Sequence, residues 1–200
     1  TLREPDRIGG VVSFRTRTPR AEYRVDMRKP AYQPQNAACA IALAEGYLGC
    51  ALNVGALERS LDSCPIPGRF DVVRTDPLVL VDACHNPQSC ENFVRALNEV
   101  EPCMSNRPAL LIAALSDKDV SGIVDVLVPA FPQIVIAQTA SDRAMPAGEL
   151  ADLVRAKLGS LGRDEGDVLS VFEDVASALD WATASGLELV AAGTITLAGE

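Results

Sequence analysis

An α/β fold is predicted for residues 69–200: a doubly wound, mostly parallel sheet of six strands, preceded by a smaller unit of another kind. Three observations predict it. Short apolar segments recur as "FDVV", "LVLVD", "ALLIAAL", "IVIAQ", "VLSVF" and "LELVAAG". The later ones are separated by stripes of apolar residues spaced three and four apart, the helical period. Before residue 65 the rhythm differs, and "CPIPGRF", with two prolines and a glycine, marks a linker. Strands that are apolar throughout are buried on both faces, so helices must cover the sheet on both sides.

The elements follow in order. "GGVVSFRTRTPRAEYRVDM" alternates apolar and charged residues around a Thr-Pro turn, predicting two antiparallel strands with one wet face. "NAACAIALAEGYLG" puts Ala37, Ala40, Ile41, Ala44 and Leu48 on one helical stripe. A second short helix is predicted at about 54–63, then a linker at 65–68. Beyond it the stripes are Phe93/Ala96/Leu97/Val100, Val120/Ile123/Val124/Leu127, Leu150/Leu153/Val154/Leu158 and Val175/Ala178/Leu179/Ala182. The boundaries expected are therefore 1–64 for one domain and 69–200 for the other.

Composition limits the function. At 200 residues and 48% hydrophobic the chain can bury a real core, which must be aliphatic because aromatics are 4%. A net charge of −9 argues against a nucleic-acid partner, since neutralising phosphates takes a basic face. The charge is uneven: residues 1–30 hold eight Lys/Arg against four Asp/Glu, leaving ten against twenty-three for the rest. That basic opening reads as a solvated strand pair, with a phosphate ligand or a missing partner domain as the functional alternative. Six cysteines with no C-x-x-C and a single histidine read as reduced, partly buried thiols of a cytosolic protein. No apolar run reaches membrane-spanning length and no signal peptide is visible. The start at Thr1, in mid-strand style, reads as a piece of a longer polypeptide.

The one histidine, His85, falls between the strand "LVLVD" and a helical stripe. Open α/β sheets bind ligands outside the carboxyl ends of their strands. Asp82 at the strand end and His85 on the loop are therefore placed at such a mouth. Asn86 suits a helix N-cap and Pro87 a first turn, and a helix N-terminus there favours anions. Chemistry alone leaves two readings open: a nucleotide or acyl-phosphate site, or a capped turn with an Asp–His hydrogen bond.

"VDACHNP" (81–87) resembles the D-G/A/V-A-H-N-P signature of the folylpolyglutamate synthase and dihydrofolate synthase family, within the Mur ligase superfamily. Four more segments resemble that family in order: "YQPQNAACAIA" its Q/P-x-x-N-A-A helix start, "PGRFDVV" its P-G-R linker, "SDKDV" the loop after its third strand, and "AAGTITLAGE" its final G-S-x-Y/H…G-E. The resemblance covers nearly the whole chain. It implies a Rossmann-like C-terminal ligase domain, preceded by the tail of a central ATPase-type domain. The activity implied is ATP-dependent addition of L-glutamate to folate or dihydropteroate through an acyl phosphate. ATP and Mg2+ are the implied cofactors, and a cytoplasmic monomer in folate biosynthesis is the implied setting.

By motif position the resemblance assigns ATP contacts to Asn36, Arg69 and Asp82. Asn36 has an amide donor and acceptor for an adenine edge, though alone it reads as a helix N-cap. Arg69 offers a fork of donors to phosphate oxygens, though alone it reads as a solvated linker arginine. Asp82 would hold ribose hydroxyls or orient the loop, and His85 would face the phosphates or the incoming amino acid; both are read as catalytic. Arg143 in "SDRAMP" and Thr194 join His85 as candidate substrate contacts. Lys118, between two aspartates, reads as a solvated ion pair with Asp119 as N-cap.

The sequence departs from the pattern in three places. Cys84 stands where the family has Ala, six residues from Cys90 and in no redox spacing. Thr194 replaces Ser. No G-x-x-x-x-G-K-[ST] loop occurs in these 200 residues, so the phosphate cradle, magnesium ligands and modified lysine are expected in a missing N-terminal half. A stand-alone nucleotide-binding or regulatory module without catalysis is the alternative. A cell-wall Mur ligase fits "PGRF" and "CHNP" less well.

Overall fold

The structure is a computed structural model and describes residues 8, 10–27, 32–64, 66–166 and 168–199. Arg3, Arg7, Arg28 and Lys29 of the basic segment, Pro65 of the linker and Glu200 of the terminal motif lie outside the described residues. Two compact units divide the chain, Thr1–Ile66 and Pro67–Glu200.

In the first unit β1 (Val12–Arg17) and β2 (Glu22–Met27) pair antiparallel, with Phe14 opposite Val25. The alternation works as expected: Val12, Phe14, Tyr23, Val25 and Met27 are buried while Arg15, Arg17, Glu22 and Arg24 are exposed. Thr18 closes the turn, its hydroxyl accepting the Arg20 and Ala21 N–H groups at 3.1 Å each. Two helices follow, α1 (Gln33–Leu48) and α2 (Val54–Ser63), the second capped by Asn53, whose side chain accepts from Ala56 N–H.

The buried stripe of α1 differs from the expected one. Ala37 and Ile41 are buried, but the third member of the row is Glu45, while Ala40 and Leu48 are exposed. The reason is a polar partner 22 residues away: the Tyr23 hydroxyl donates to Glu45 Oε1 at 2.5 Å and accepts the Leu52 N–H at 2.7 Å. A buried polar group that is satisfied costs little, so the row containing Glu45 can face the sheet. Ala40, Ala44 and Leu48 instead line an apolar groove of about 650 Å³ with Leu57 and Leu61 of α2. Cys39, off both the expected and the observed row, is exposed.

Burial alone would raise the Glu45 carboxyl, but hydrogen bonds from Thr18 and Tyr23 and the charge of Arg20 take it below the usual carboxylate range. A depressed carboxyl contributes stability above its unfolded value, and that stability is lost as pH falls through the folded value. Protection of the Leu52 amide against hydrogen exchange is therefore expected to drop on acidification through that window, and Glu45→Gln to flatten the dependence. A pH-independent Leu52 amide in the wild type would contradict the assignment.

The second unit is a six-stranded sheet in the order β3-β4-β8-β5-β6-β7. Its strands are β3 (Asp71–Thr75), β4 (Leu78–Val81), β5 (Ala109–Ile112), β6 (Ile134–Ile136), β7 (Leu169–Val171) and β8 (Leu189–Ala192). Only β3 runs antiparallel, joined to β4 by a hairpin; every other pairing is parallel. The helices are α3 (Pro87–Val100), α4 (Val120–Leu127), α5 (Ala147–Ser160) and α6 (Val175–Ala184). Crossovers from β4 to β7 step one way along the sheet, and α6 steps back to insert β8 between β4 and β5. Right-handed crossovers then put α3, α4 and α5 on one face and α6 on the other. Val175, Ala178 and Ala182 of α6 pack on Ala109, Leu111, Val135 and Leu189, one face of the alternation. The fold is the doubly wound α/β sheet that the apolar rhythm predicts.

Packing fills the other face with the expected stripes. Phe93, Ala96 and Leu97 of α3, all four stripe residues of α4, and Leu150, Val154 and Leu158 of α5 are buried. Phe93 packs between Phe70 and Phe131, at centroid distances of 5.6 and 6.5 Å. Burying each such side chain contributes about 1.5–3 kcal/mol.

Candidate functional site

The reversal of direction that returns β8 between β4 and β5 brings three carboxyl ends side by side, with β6 next to them. The loops that leave these ends are tied together by backbone hydrogen bonds. Gly193 N–H donates to Cys84 O at 3.1 Å, Met145 N–H to Ala114 O and Ser116 N–H to Arg143 O, both at 2.9 Å, with a bridge between Leu115 and Ala144. Asp82, His85, Thr194, Lys118 and Arg143 therefore all stand on one edge of one sheet. Asn36 belongs to the first unit.

His85 opens this edge. The Asn86 side chain accepts the Ser89 N–H and the Ser89 hydroxyl accepts the Asn86 N–H, a reciprocal cap, with Pro87 in the first turn of α3. The predicted start of this helix is thus the one found. His85 is half-buried, its N–H held by the Ser89 hydroxyl at 3.0 Å. Its Nδ1 lies 2.9 Å from Ala83 O, and a carbonyl can only accept, so Nδ1 carries a proton. With one proton on the ring, Nε2 is the acceptor, and His85 directly precedes the cap of a 14-residue helix. The hydrogen bond between Asp82 and His85 that the bland reading anticipated is not what orients the ring; the Ala83 carbonyl does so.

Asp82 is 2% exposed. Its Oδ2 accepts the Phe70 N–H at 2.8 Å and its Oδ1 the Cys84 N–H at 2.9 Å. These two bonds tie the linker turn and the loop after β4 to one carboxylate. Arg69 lies half-buried on the linker turn, and among the described residues its guanidinium has no hydrogen-bond or ion-pair partner.

Arg143 and Lys118 share one carboxylate: Arg143 Nη1 lies 3.1 Å and Lys118 Nζ 3.6 Å from Asp117 Oδ2. Asp119 caps α4 by accepting the Gly122 N–H, as expected. Thr194 is 1% exposed, its hydroxyl 3.0 Å from that of Thr196, which in turn donates to Thr139 at 3.4 Å. Thr139 and Thr196 carry no mark in the sequence that would have selected them. Asn36 is exposed and donates to Gln33 Oε1 at 3.0 Å. It is not the N-cap, because α1 begins at Gln33 with Tyr32 in the cap position and Pro34 in the first turn.

All six cysteines are free thiols, with Cys84 and Cys90 buried. A hydrogen bond with Cys90 and then burial push the Cys84 thiol well above its ordinary value, which keeps it protonated and unreactive as a free thiol. Thiol titration of a denatured, unreduced sample is expected to find close to six groups, with Cys84 and Cys90 the two that react slowly when native. Persistent disulfides would overturn this.

The second unit is a Rossmann-like domain with its loops gathered at one edge of the sheet. Residues 68–197 match the family described as Mur ligase, glutamate ligase domain, and the chain belongs to that family. It is similar to the probable bifunctional folylpolyglutamate synthase/dihydropteroate synthase of Halobacterium salinarum, 32% identical over 168 residues, 84% of this chain and 19% of that one. It is 30% identical to the dihydrofolate synthase/folylpolyglutamate synthase of Mycobacterium tuberculosis over 157 residues, 76% of this chain and 30% of the other. Mycobacterium tuberculosis folylpolyglutamate synthase complexed with ADP and AMPPCP has a TM-score of 0.85 at 25% identity, covering 99% of this chain and 46% of that one. The chain thus spans less than half the length of the relatives it matches.

Proposed function

We propose that this chain is the glutamate-adding part of an ATP-dependent amide ligase that acts on folate or dihydropteroate. The observation that carries the reading is the position of His85, its Nε2 an acceptor and its backbone directly before the cap of α3, on the edge where four strand ends meet. An acyl phosphate forming there would find a helix N-terminus favouring its charge. Arg69, unpaired among the described residues, suits phosphate oxygens, and Asn36 an adenine edge. His85 accepts from the incoming glutamate amine, while Arg143 and Thr194 hold substrate groups. The Mycobacterium tuberculosis relative was solved with ADP and AMPPCP, which supports nucleotide as the ligand.

Residues 1–64 read as the end of the central ATP-binding domain, 65–68 as linker and 69–200 as the ligase domain. Among the described residues no group of three His, Cys, Asp or Glu side chains could hold a metal. Magnesium would be held by residues of a P-loop domain outside these 200 residues. Among the described residues no helix is long and apolar enough to cross a membrane.

The 200 residues alone, which lack a G-x-x-x-x-G-K-[ST] loop, are expected to hydrolyse no ATP and join no glutamate. The polypeptide that joins this chain to a P-loop domain is expected to add labelled glutamate to dihydropteroate or a folate in proportion to ATP consumed. Ligation by the 200-residue chain, or ATP binding without ligation by the longer one, would overturn the reading; the second result would favour a binding module.

A further inference from the structure

We propose that Asp82 is a positioning residue that acts through Arg69: its buried carboxylate fastens the turn Gly68–Phe70 to the end of β4 and so fixes where the Arg69 guanidinium meets the nucleotide phosphates. The ligase reading above supplies the role of Arg69; the rest stands on geometry. Arg69 lies between two residues of left-handed backbone, Gly68 at φ +65° and Phe70 at φ +52°. Glycine adopts that conformation freely, but a phenylalanine there must be held by its surroundings. Phe70 is held at both ends of the residue. Its ring packs tilted against Phe93, and its N–H donates to Asp82 Oδ2 at 2.8 Å.

The other side of the turn is pinned as well. Ala83 N–H donates to Gly68 O at 2.7 Å, and Gly68 N–H donates to Asp71 Oδ2 at 3.1 Å. Asp82 Oδ1 takes the Cys84 N–H, so one carboxylate joins the Arg69 turn to the loop that carries His85. At 2% exposure little of that carboxylate is open to a ligand. Removing it orphans two backbone donors and frees Phe70 to return to extended backbone, which swings the neighbouring Arg69 away.

The test is a double-mutant cycle in the complete ligase with Asp82→Ala and Arg69→Ala, read as kcat/KM for ATP. Each single variant is expected to lose about ten- to a hundredfold. Because Asp82 works through Arg69, the double variant should lose no more than the worse single one. Losses that multiply would mean that Asp82 touches the nucleotide itself, and normal activity in Asp82→Ala would mean that it positions nothing; either overturns the proposal. Should Asp82→Ala fail to fold, Asp82→Asn, which keeps one acceptor oxygen, enters the same cycle.

Amide exchange in the 200-residue chain gives an independent readout. The Phe70 amide should exchange at least about tenfold faster in the Asp82 variant, with β5 amides unchanged. Unaltered Phe70 exchange overturns the clamp. Normal kcat/KM in Arg69→Ala removes the ligase reading of that residue, and this inference with it, whatever the exchange rates show.

Discussion

Replacing His85 by alanine is expected to lower kcat/KM for glutamate addition by about a hundredfold or more while the melting temperature barely moves. Among the described residues the half-buried ring makes a single hydrogen bond, to the Ala83 carbonyl two residues before it. The reciprocal cap of Asn86 and Ser89 and the Pro87 turn start α3 without any contribution from the imidazole. Folding therefore loses little. Catalysis loses Nε2, and a positioned proton acceptor is worth about 10²–10⁴ in rate. His85→Gln, which keeps an amide donor and acceptor but no basic nitrogen, should recover less than a tenth of the lost activity if proton transfer is the role. The deciding comparison sets turnover against melting for each variant. Normal turnover in a His85→Ala protein that melts several degrees lower would make the residue structural.

What the sequence disclosed and what it withheld follow from how far apart the interacting groups are. The strands β4, β5, β6 and β8 and the helix start at Asn86–Pro87 depend on apolar runs and local capping, and a few neighbouring residues suffice to see them. The limits of α2 were legible for the same reason. The stripe of α1 was not, because the Tyr23 hydroxyl that buries Glu45 lies 22 residues away. Likewise the hydroxyl chain below Thr194 reaches Thr139 across 57 residues, and no period or motif joins them. The site shows the same division. Which residues stand near β4 could be read from "VDACHNP", but not that Asp82 turns both oxygens to backbone donors. A carboxylate at a strand end looks alike in sequence whether it faces a ribose or a turn.

Gly193→Ala is expected to be the most destabilising small substitution in the second unit, by about 2–6 kcal/mol. Gly193 ends β8 with φ +107°, a conformation that side chains rarely adopt. A Cβ at this position would lie 2.4 Å from the Ala113 carbonyl oxygen and 3.1 Å from Ile112 Cγ1. The first of these is backbone of the neighbouring strand's end and cannot rotate away, so β8 and β5 must separate where they are hydrogen-bonded. The strain at this φ costs about 1–3 kcal/mol and the forced separation a similar amount. In a unit of this size that corresponds to a fall in melting temperature of roughly 10 °C or more. The effect should reach the site as well, because Gly193 N–H holds the Cys84 carbonyl one residue before His85. Gly46, inside α1, is the control, since a methyl group there would meet nothing within 4 Å. Gly46→Ala should stabilise the first unit by about 0.5–1 kcal/mol. Equal melting of Gly193→Ala and wild type would show that the close approach of β8 to β5 is not the constraint that makes this position glycine.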